Sequence, residues 1–179
     1  MNGIVIYKSK YGATKRYAQW IAEETDFDCV SVKDIKTSDL DKYDTVVYGG
    51  GIYANGIAGL SFLEKNIDIL INKNLFVFCD GASPCEDKAV DFIIDRNMKN
   101  YLKQLPCFYF RGAWDMPNMT FMDRNLCKML QKSVSKKNPE DYEIWEKALV
   151  EAGTDVHDWT NKDAIKPLID AIRSSENIA

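Results

Sequence analysis

The sequence predicts an α/β fold in which a parallel sheet is covered by helices on both faces. Short apolar runs alternate along the chain with segments of helical periodicity. The runs are nearly continuous in apolar residues, which is typical of strands that are buried on both faces. The chain has 179 residues, of which 46% are hydrophobic, so it has the length of one domain and can bury a full core.

The strands and helices follow one another in the order expected of βαβ units. The five strands are predicted at residues 3–8, 29–32, 45–48, 75–79 and 107–111. The helices are predicted at residues 13–24, 60–70, 87–102, 120–133 and 160–174. The first helix places Tyr17 and Ile21 on one face and most charged residues off it, which indicates that this helix packs on the sheet.

Residues 112–159 are predicted to form a helical extension that departs from the simple alternation. It includes a charged segment at residues 142–151. The stretch from Thr160 to Asp163 resembles a capping box and opens the last predicted helix. Because no linker or repeat interrupts the chain, we predict a single domain over residues 1–179.

The composition argues against nucleic acid and membranes as partners of the protein. The net charge is −4 and the sequence pI is about 5.1, so we expect neither nucleic acid nor an anionic membrane to attract the protein as a whole. No apolar run approaches the roughly 18 residues needed to span a bilayer, and the first residues lead directly into a strand. We therefore expect a cytoplasmic protein without stable membrane insertion.

Cysteine and histidine usage argues against a disulfide framework or a metal centre. The five cysteines are scattered and contain no C-x-x-C pair, so they are expected to be reduced thiols. His157 is the only histidine, which removes most metal sites and most candidates for a general base. We expect His157 to be a surface residue near a helix start.

Residues 9–14, which we call the phosphate loop, join the first strand to the first helix. Unpaired backbone N–H groups and the helix dipole favour an anion at such a helix start. Ser9 and Thr14 add hydroxyl groups, and Gly12 allows a tight turn against a ligand. An ordinary capped turn between strand and helix is the alternative interpretation.

Two further loops leave the carboxyl ends of predicted strands, at residues 50–59 and 80–84. Ligands of open parallel sheets bind beyond these ends, so one ligand could contact all three loops. The second loop is rich in glycine and contains Tyr53, whose ring could stack on a flat heterocycle. Alternatively, Tyr53 is a surface residue that anchors a mobile loop.

The common nucleotide motifs do not fit the sequence. The turn after the first strand has a single glycine, so the G-x-G-x-x-G pattern of dinucleotide-binding proteins is missing there. Gly51 and Gly56 have the spacing of a Walker loop, but Ile57 and Ala58 occupy the positions of its Lys and Ser or Thr. The remaining interpretation is a mononucleotide, with its phosphate at the phosphate loop and its ring system against the glycine-rich and aromatic loops.

The phosphate loop resembles that of the flavodoxins, which reads roughly Thr/Ser-x-Thr-Gly-x-Thr. Here it reads Ser9-Lys10-Tyr11-Gly12-Ala13-Thr14, with Tyr11 departing from the third position. Within this family, the extension is most similar to the menaquinone-dependent protoporphyrinogen dehydrogenases. The residues that carry this second likeness are Gly112-Ala113, Pro117, Asp123-Arg124, Lys128 and Asp158-Trp159.

The resemblance implies a flavodoxin-like three-layer α/β/α fold, with five parallel strands in the order 2-1-3-4-5, and FMN as the cofactor. The cofactor-binding residues that it implies are Ser9, Lys10, Tyr11, Gly12, Ala13, Thr14, Gly50, Gly51, Ile52, Tyr53, Ala54, Asn55, Gly81, Ala82, Ser83 and Trp114. A flexible peptide at Gly50 or Gly51 is expected to offer a backbone group to flavin N5.

The function implied is that of an FMN-binding electron carrier or small reductase, a monomer or homodimer without catalytic side chains. Its partner would be a redox protein or a small acceptor such as a quinone. Acidic surroundings would disfavour an anionic reduced flavin and lower its potential. An NAD(P)H-dependent reductase is less favoured because no nicotinamide site is evident.

Two alternatives remain open. The first is a protoporphyrinogen dehydrogenase-type enzyme with an apolar site for a tetrapyrrole or quinone. The residues that would line that site are Trp114, Met116, Met119, Phe121 and Met122. The second is a flavin-free module that uses the phosphate loop for another phosphate or for a protein partner.

Overall fold

A parallel sheet forms the centre of the computed structural model, which describes residues 2–176. Its parallel strands are β1 (Gly3–Lys8), β2 (Asp28–Ser31), β3 (Thr45–Tyr53), β5 (Asn74–Gly81) and β6 (Cys107–Arg111). They lie in the order β2-β1-β3-β5-β6, which confirms the order predicted for the five strands. A short strand, β4 (Gly56–Ile57), pairs antiparallel with β3, so the predicted count of five was too low.

Helices cover both faces of this sheet, and further helices lie in the extension. They are α1 (Ala13–Thr25), α2 (Ser61–Lys65), α3 (Ile67–Leu70), α4 (Asp87–Asn97), α5 (Phe121–Val134), α6 (Ile144–Ala152) and α7 (Lys166–Glu176). One core cluster lies between the sheet and α2, α3 and α4, and the other lies between the sheet and α1 and α7. The predicted three-layer α/β/α architecture is therefore confirmed.

Successive side chains of each central strand belong to opposite cores. In β1, Ile4 and Ile6 join the cluster under α2 to α4, whereas Val5 joins the cluster under α1 and α7. In β5, Val77 and Phe78 divide in the same way. Because side chains alternate along a strand, a strand buried on both faces must be apolar at nearly every position.

The glycine run after residue 48 is part of a strand, so the loop predicted at residues 50–59 was wrong. β3 continues to Tyr53, and the chain turns through Ala54 and Asn55, whose φ angles are 48° and 64°, into β4. Positive φ at both central residues is typical of a type I′ hairpin turn, whose twist matches that of the paired strands.

The glycines of β3 are required by close packing within the sheet. A Cβ at Gly49 would lie 2.1 Å from Cζ of Phe78. A Cβ at Gly50 would lie 2.5 Å from the Ala58 carbonyl oxygen. Asn97, on α4, binds the hairpin through its side-chain amide. The amide accepts from the Ile57 N–H at 2.9 Å and donates to the Asn55 carbonyl at 2.8 Å.

The extension is closed by a two-stranded antiparallel ribbon of β7 (Ala113–Asp115) and β8 (Val156–Asp158). The helices α5 and α6 lie between these strands along the chain, so the extension is not helical throughout. His157 lies in β8, with its ring stacked on Trp159 at a centroid distance of 5.0 Å. His157, predicted to be a surface residue near a helix start, is half-buried in this strand and precedes the 3-10 turn at Lys162–Ile165 by five residues.

The last helix begins differently from the predicted capping box. The side chain of Asn161 accepts from the Asp163 N–H at 3.0 Å, and a 3-10 turn at Lys162–Ile165 precedes α7. The Thr160 hydroxyl is instead hydrogen-bonded to Asp158 at 2.7 Å. Within residues 2–176, no helix combines the length and the apolar character needed to cross a membrane.

Replacing Gly49 by alanine is expected to destabilise the protein. The added methyl would meet the fully buried ring of Phe78 at 2.1 Å, so the ring or the strand must move. Overpacking of this kind costs about 1–3 kcal/mol. Urea unfolding of Gly49→Ala should show this loss, whereas the control Gly56→Ala, whose Cβ first meets the Tyr53 carbonyl oxygen at 3.4 Å, should lose less. Equal stability of Gly49→Ala and the native protein would contradict this packing.

Candidate functional site

A cavity of about 330 Å³, which we call the central cavity, lies beyond the carboxyl ends of β1, β3 and β5. Its volume is within the range of about 300–1,000 Å³ that is usual for small-molecule sites. The loops at these strand ends form one side of it, and β7 and α5 of the extension form the other. The residues that line it are Tyr11, Ala13, Thr14, Gly51, Ile52, Tyr53, Ala54, Asp80, Gly81, Ala82, Ala113, Trp114, Met119, Asp123, Leu126 and Cys127.

The phosphate loop leads into α1 through Gly12, which adopts a left-handed conformation with φ of 102°. A Cβ at Gly12 would meet no atom within 4 Å, so the backbone is open on this side. The Ser9 hydroxyl accepts from the Gly12 N–H at 3.1 Å, and the first turn of α1 contains no acidic residue. The helix start therefore keeps its positive dipole end free of a competing carboxylate of its own.

Tyr11 connects the phosphate loop to the extension. Its hydroxyl donates to the Asp123 carboxylate and accepts from the Thr120 N–H at 3.3 Å. The Lys10 ammonium pairs with the same carboxylate. The hydrogen bonds from Lys10 and from Tyr11 hold the pKa of Asp123 below its ordinary value. The residue that departs from the flavodoxin pattern thus ties α5 to the loop.

Tyr53 is tied to the phosphate loop rather than free on the surface. Its hydroxyl accepts from the Lys10 backbone N–H at 3.0 Å. Its ring meets that of Tyr11 edge to face, with centroids 6.3 Å apart and planes at 65°. The ring lines the central cavity. This placement joins the ends of β1 and β3.

Asp80 places a buried carboxyl on the wall of the central cavity at the end of β5. It is 5% exposed, and its Oδ1 atom has no hydrogen-bond partner among residues 2–176. Burial raises the pKa of Asp80 to about 7, although a hydrogen bond from the Thr14 hydroxyl acts in the opposite direction. Gly112 packs closely against Asp80, since a Cβ there would lie 2.8 Å from Oδ2 of Asp80. Asp80 therefore gives the cavity wall a buried acceptor atom that no described residue uses.

The sequence profile of the flavodoxin domain family matches residues 4–142 of the chain. The chain belongs to the flavodoxin domain family. Comparison with the curated proteins finds no match.

Several solved structures are similar to this flavodoxin domain. Oxidised Flavodoxin 1 from Bacillus cereus has 16% identity and a TM-score of 0.41, covering 84% of this chain and 98% of its own. A WrbA-like flavodoxin from Agrobacterium tumefaciens has 17% identity and a TM-score of 0.43, covering 84% and 92%. A flavodoxin from the domain Archaea has 17% identity and a TM-score of 0.40, covering 85% and 99%.

Membership of the flavodoxin domain family implies FMN as the cofactor, and the central cavity fits such a molecule. The start of α1 offers backbone N–H groups for a phosphate. The orphaned Oδ1 of Asp80 can accept a hydrogen bond from a ribityl hydroxyl. Gly51 keeps the space open between these points, because a Cβ there would lie 2.9 Å from the Tyr53 hydroxyl and 3.0 Å from that of Thr14.

Most of the residues predicted to bind the cofactor line the central cavity, and the others have different places. Ser9, Lys10 and Gly12 support the phosphate loop from outside the cavity lining. Gly50 lies inside the sheet. The residues of the predicted set that line the cavity are Tyr11, Ala13, Thr14, Gly51, Ile52, Tyr53, Ala54, Gly81, Ala82 and Trp114. Asn55 and Ser83 line a second cavity, together with Ile52, Gly81 and Ala82.

The peptides at Gly50 and Gly51 lie in regular strand structure. The Gly51 carbonyl accepts from the Ala58 N–H at 2.9 Å, across the hairpin. An exchange of backbone partner at flavin N5 stays a prediction, and at Gly51 it would require this hydrogen bond to break.

Sequence reasoning missed several lining residues. They are Asp80, Ala113, Asp123, Leu126 and Cys127, whereas Met119 was expected only at the apolar site of the alternative enzyme. Asp80 had a recognisable signal, since it is a charged residue that directly follows an apolar strand. The three residues from α5 had no signal for this site, because their contact with the loops depends on how the extension folds back.

The Asp80→Asn substitution is expected to change how stability depends on pH. The unfolded carboxyl titrates near its usual pKa of about 4, whereas the folded one titrates at about 7, so the native protein loses stability as pH rises between these values. The variant lacks this loss. In flavin-free protein, its stability relative to the native chain should be greater at pH 8 than at pH 5.5 by on the order of 2 kcal/mol.

Urea unfolding at the two pH values measures this difference. The control Asp170→Asn removes one exposed negative charge from α7 and should show no comparable change. The same stability difference between Asp80→Asn and the native protein at both pH values would show that Asp80 does not titrate in this range.

Proposed function

We propose that this flavodoxin domain transfers electrons through bound FMN, as a carrier between redox proteins or as a small reductase of an acceptor such as a quinone. The main support is Asp80, a buried carboxyl with an oxygen that no described residue partners, which lines the same cavity as the start of α1. One wall of the central cavity thereby combines a site for a phosphate with a carboxyl group that can accept a hydrogen bond from a ligand hydroxyl. This is the combination that a flavin mononucleotide requires.

Different residues of the central cavity would bind different parts of FMN. The N–H groups at the start of α1 and the hydroxyl of Thr14 would hold the phosphate, while Ser9 would support the loop from outside the cavity lining. Asp80, with a pKa of about 7, is half protonated near neutral pH, which reduces its repulsion of a phosphate. Bound FMN would supply the redox chemistry, and no catalytic acid or base is required.

The extension would shield the ring system from water. Trp114 and Met119 line the central cavity opposite the strand ends. The indole N–H of Trp114 donates to the Gly153 carbonyl at 3.2 Å, which fixes the ring. The net charge of −4 disfavours additional negative charge in the cavity. The reduction potential for forming the anionic reduced flavin should therefore be low.

A protoporphyrinogen dehydrogenase-type activity has weaker support. Of the residues expected to form its apolar site, Trp114 and Met119 line the central cavity. Met116 is 2% exposed and packs internally, while Phe121 and Met122 are 81% and 79% exposed and lie outside the cavity lining. The apolar wall therefore suits a flavin ring better than a second, larger ring system.

Absorbance spectra of the purified protein, with and without FMN, followed by stepwise anaerobic reduction, test the proposed function. Flavin bands and a stable semiquinone would support a one-electron carrier, whereas reduction without a semiquinone would support a two-electron reductase. Turnover of protoporphyrinogen with menaquinone would reveal the dehydrogenase, and bleaching by NADPH alone would reveal a nicotinamide site. A protein that remains colourless with FMN would favour the flavin-free module.

The Gly51→Ala substitution is expected to weaken FMN binding. Its methyl would approach the Tyr53 and Thr14 hydroxyls to about 3 Å and narrow the central cavity between them. A loss of at least about tenfold in affinity corresponds to 1.4 kcal/mol of lost contact and is expected from fluorescence titration. The control Gly56→Ala lies outside the cavity lining and should bind FMN like the native protein. Native affinity in Gly51→Ala would place FMN elsewhere.

A further inference from the structure

A second cavity lies between α4 and α6, and we call it the α4–α6 cavity. Its volume is about 300 Å³, at the lower end of the range for small-molecule sites. Apolar side chains dominate its lining, with aliphatic groups from the ends of β3, α4 and α6. The apolar residues that matter most are Ile52, Phe92, Ile93, Tyr109, Ile144 and Trp145.

Three aromatic rings give this cavity its chemical character. The Tyr109 hydroxyl donates to the Ser83 carbonyl at 2.7 Å, and the Trp145 indole N–H donates to the Glu143 carboxylate at 2.6 Å. Their polar atoms are therefore satisfied, and what these residues offer a ligand is ring surface. Phe92 is 44% exposed, so a planar aromatic ligand would also cover apolar surface that is now in water.

The charges at the cavity favour an anionic group on the ligand. Lys88 lies on its lining and forms no ion pair within residues 2–176. Glu143 also lies there, but its carboxylate accepts from Trp145 and from the backbone N–H of Glu146 at the start of α6. Lys88 is thus the charged group that still lacks a partner among the described residues.

Only a thin wall separates the α4–α6 cavity from the central cavity. Ile52, Gly81 and Ala82 line both. A Cβ at Gly81 would lie 3.3 Å from Cδ1 of Ile52 and 3.3 Å from the Tyr109 hydroxyl, so even a methyl group there would be tight. A ligand in one cavity is consequently a direct neighbour of a ligand in the other.

We propose that the α4–α6 cavity binds a small planar aromatic anion and holds it beside the FMN site. The FMN-binding function proposed above provides the neighbour, while the cavity itself is built from α4, α6 and the strand ends. The aromatic rings select the flat body of the ligand, and Lys88 selects its negative substituent. The cavity thereby limits which small molecules can approach the flavin from this side.

Isothermal titration calorimetry with naphthalene-2-sulfonate tests this site on both the FMN-saturated and the flavin-free protein. One probe molecule is expected to bind per chain in both forms. FMN binding is measured separately, so failure to bind FMN would remove the proposed function without removing the aromatic site. Displacement of the probe by FMN would show that the two ligands are not held side by side and would overturn the proposal.

Substitutions on α4 locate the probe. Ala89, on the cavity lining, is replaced by tryptophan to fill the space, which should weaken probe binding at least about tenfold and leave FMN binding unchanged. Phe92→Ala provides a second variant that removes a ring without adding bulk and should also weaken binding. Circular dichroism shows whether each variant is folded.

The charge preference is tested with Lys88→Gln. Loss of an exposed ion pair should weaken binding of the sulfonate about twofold to fivefold and leave binding of the neutral naphthalene-2-methanol unchanged. The control Lys65→Gln removes an exposed charge from α2.

The exposed apolar side chains of α5 offer another place for an aromatic probe, so Met122→Gln is included. Binding that weakens in Met122→Gln but not in folded Ala89→Trp or Phe92→Ala would overturn the proposal. The absence of a binding signal at millimolar probe would do the same.

Discussion

The central sheet has apolar side chains on both faces, and both faces must be covered for the fold to exist. Helices α1 and α7 cover one face, and α2, α3 and α4 cover the other. Parallel strands covered in this way need long crossovers, which leave the loops of β1, β3 and β5 at one edge. The central cavity is a consequence of this arrangement, because its inner wall consists of the three strand ends.

The extension adds the outer wall, and its attachment uses few polar contacts. Lys10 and Tyr11 both meet Asp123, but an exposed ion pair of this kind contributes little to stability. The ribbon of β7 and β8 anchors both ends of the extension beside the sheet. The polar contacts therefore set the orientation of α5 over the phosphate loop more than they stabilise it. An extension attached in this way can adjust its position to a bound cofactor.

The fold could be predicted from the sequence because burial on both faces leaves a strong signal in each strand. The hairpin after β3 could not, since the glycines at positions 49 and 50 resemble a loop and their reason lies in Phe78 and Ala58, which are distant in sequence. The phosphate loop was recognisable by its local pattern. The contacts of α5 were not, because they join residues more than 100 positions apart, as in the hydrogen bond between Tyr11 and Asp123.

The central claim is that one cavity combines a phosphate site at the start of α1 with a hydroxyl acceptor at Asp80. Titration of flavin-free protein with FMN and with riboflavin, monitored by flavin fluorescence, tests it most directly because the two ligands differ only in the phosphate. We expect one FMN per chain and an affinity for FMN at least about tenfold higher than for riboflavin. Equal affinity for both would contradict the phosphate site, and no binding of either would contradict the account of the cavity as a whole.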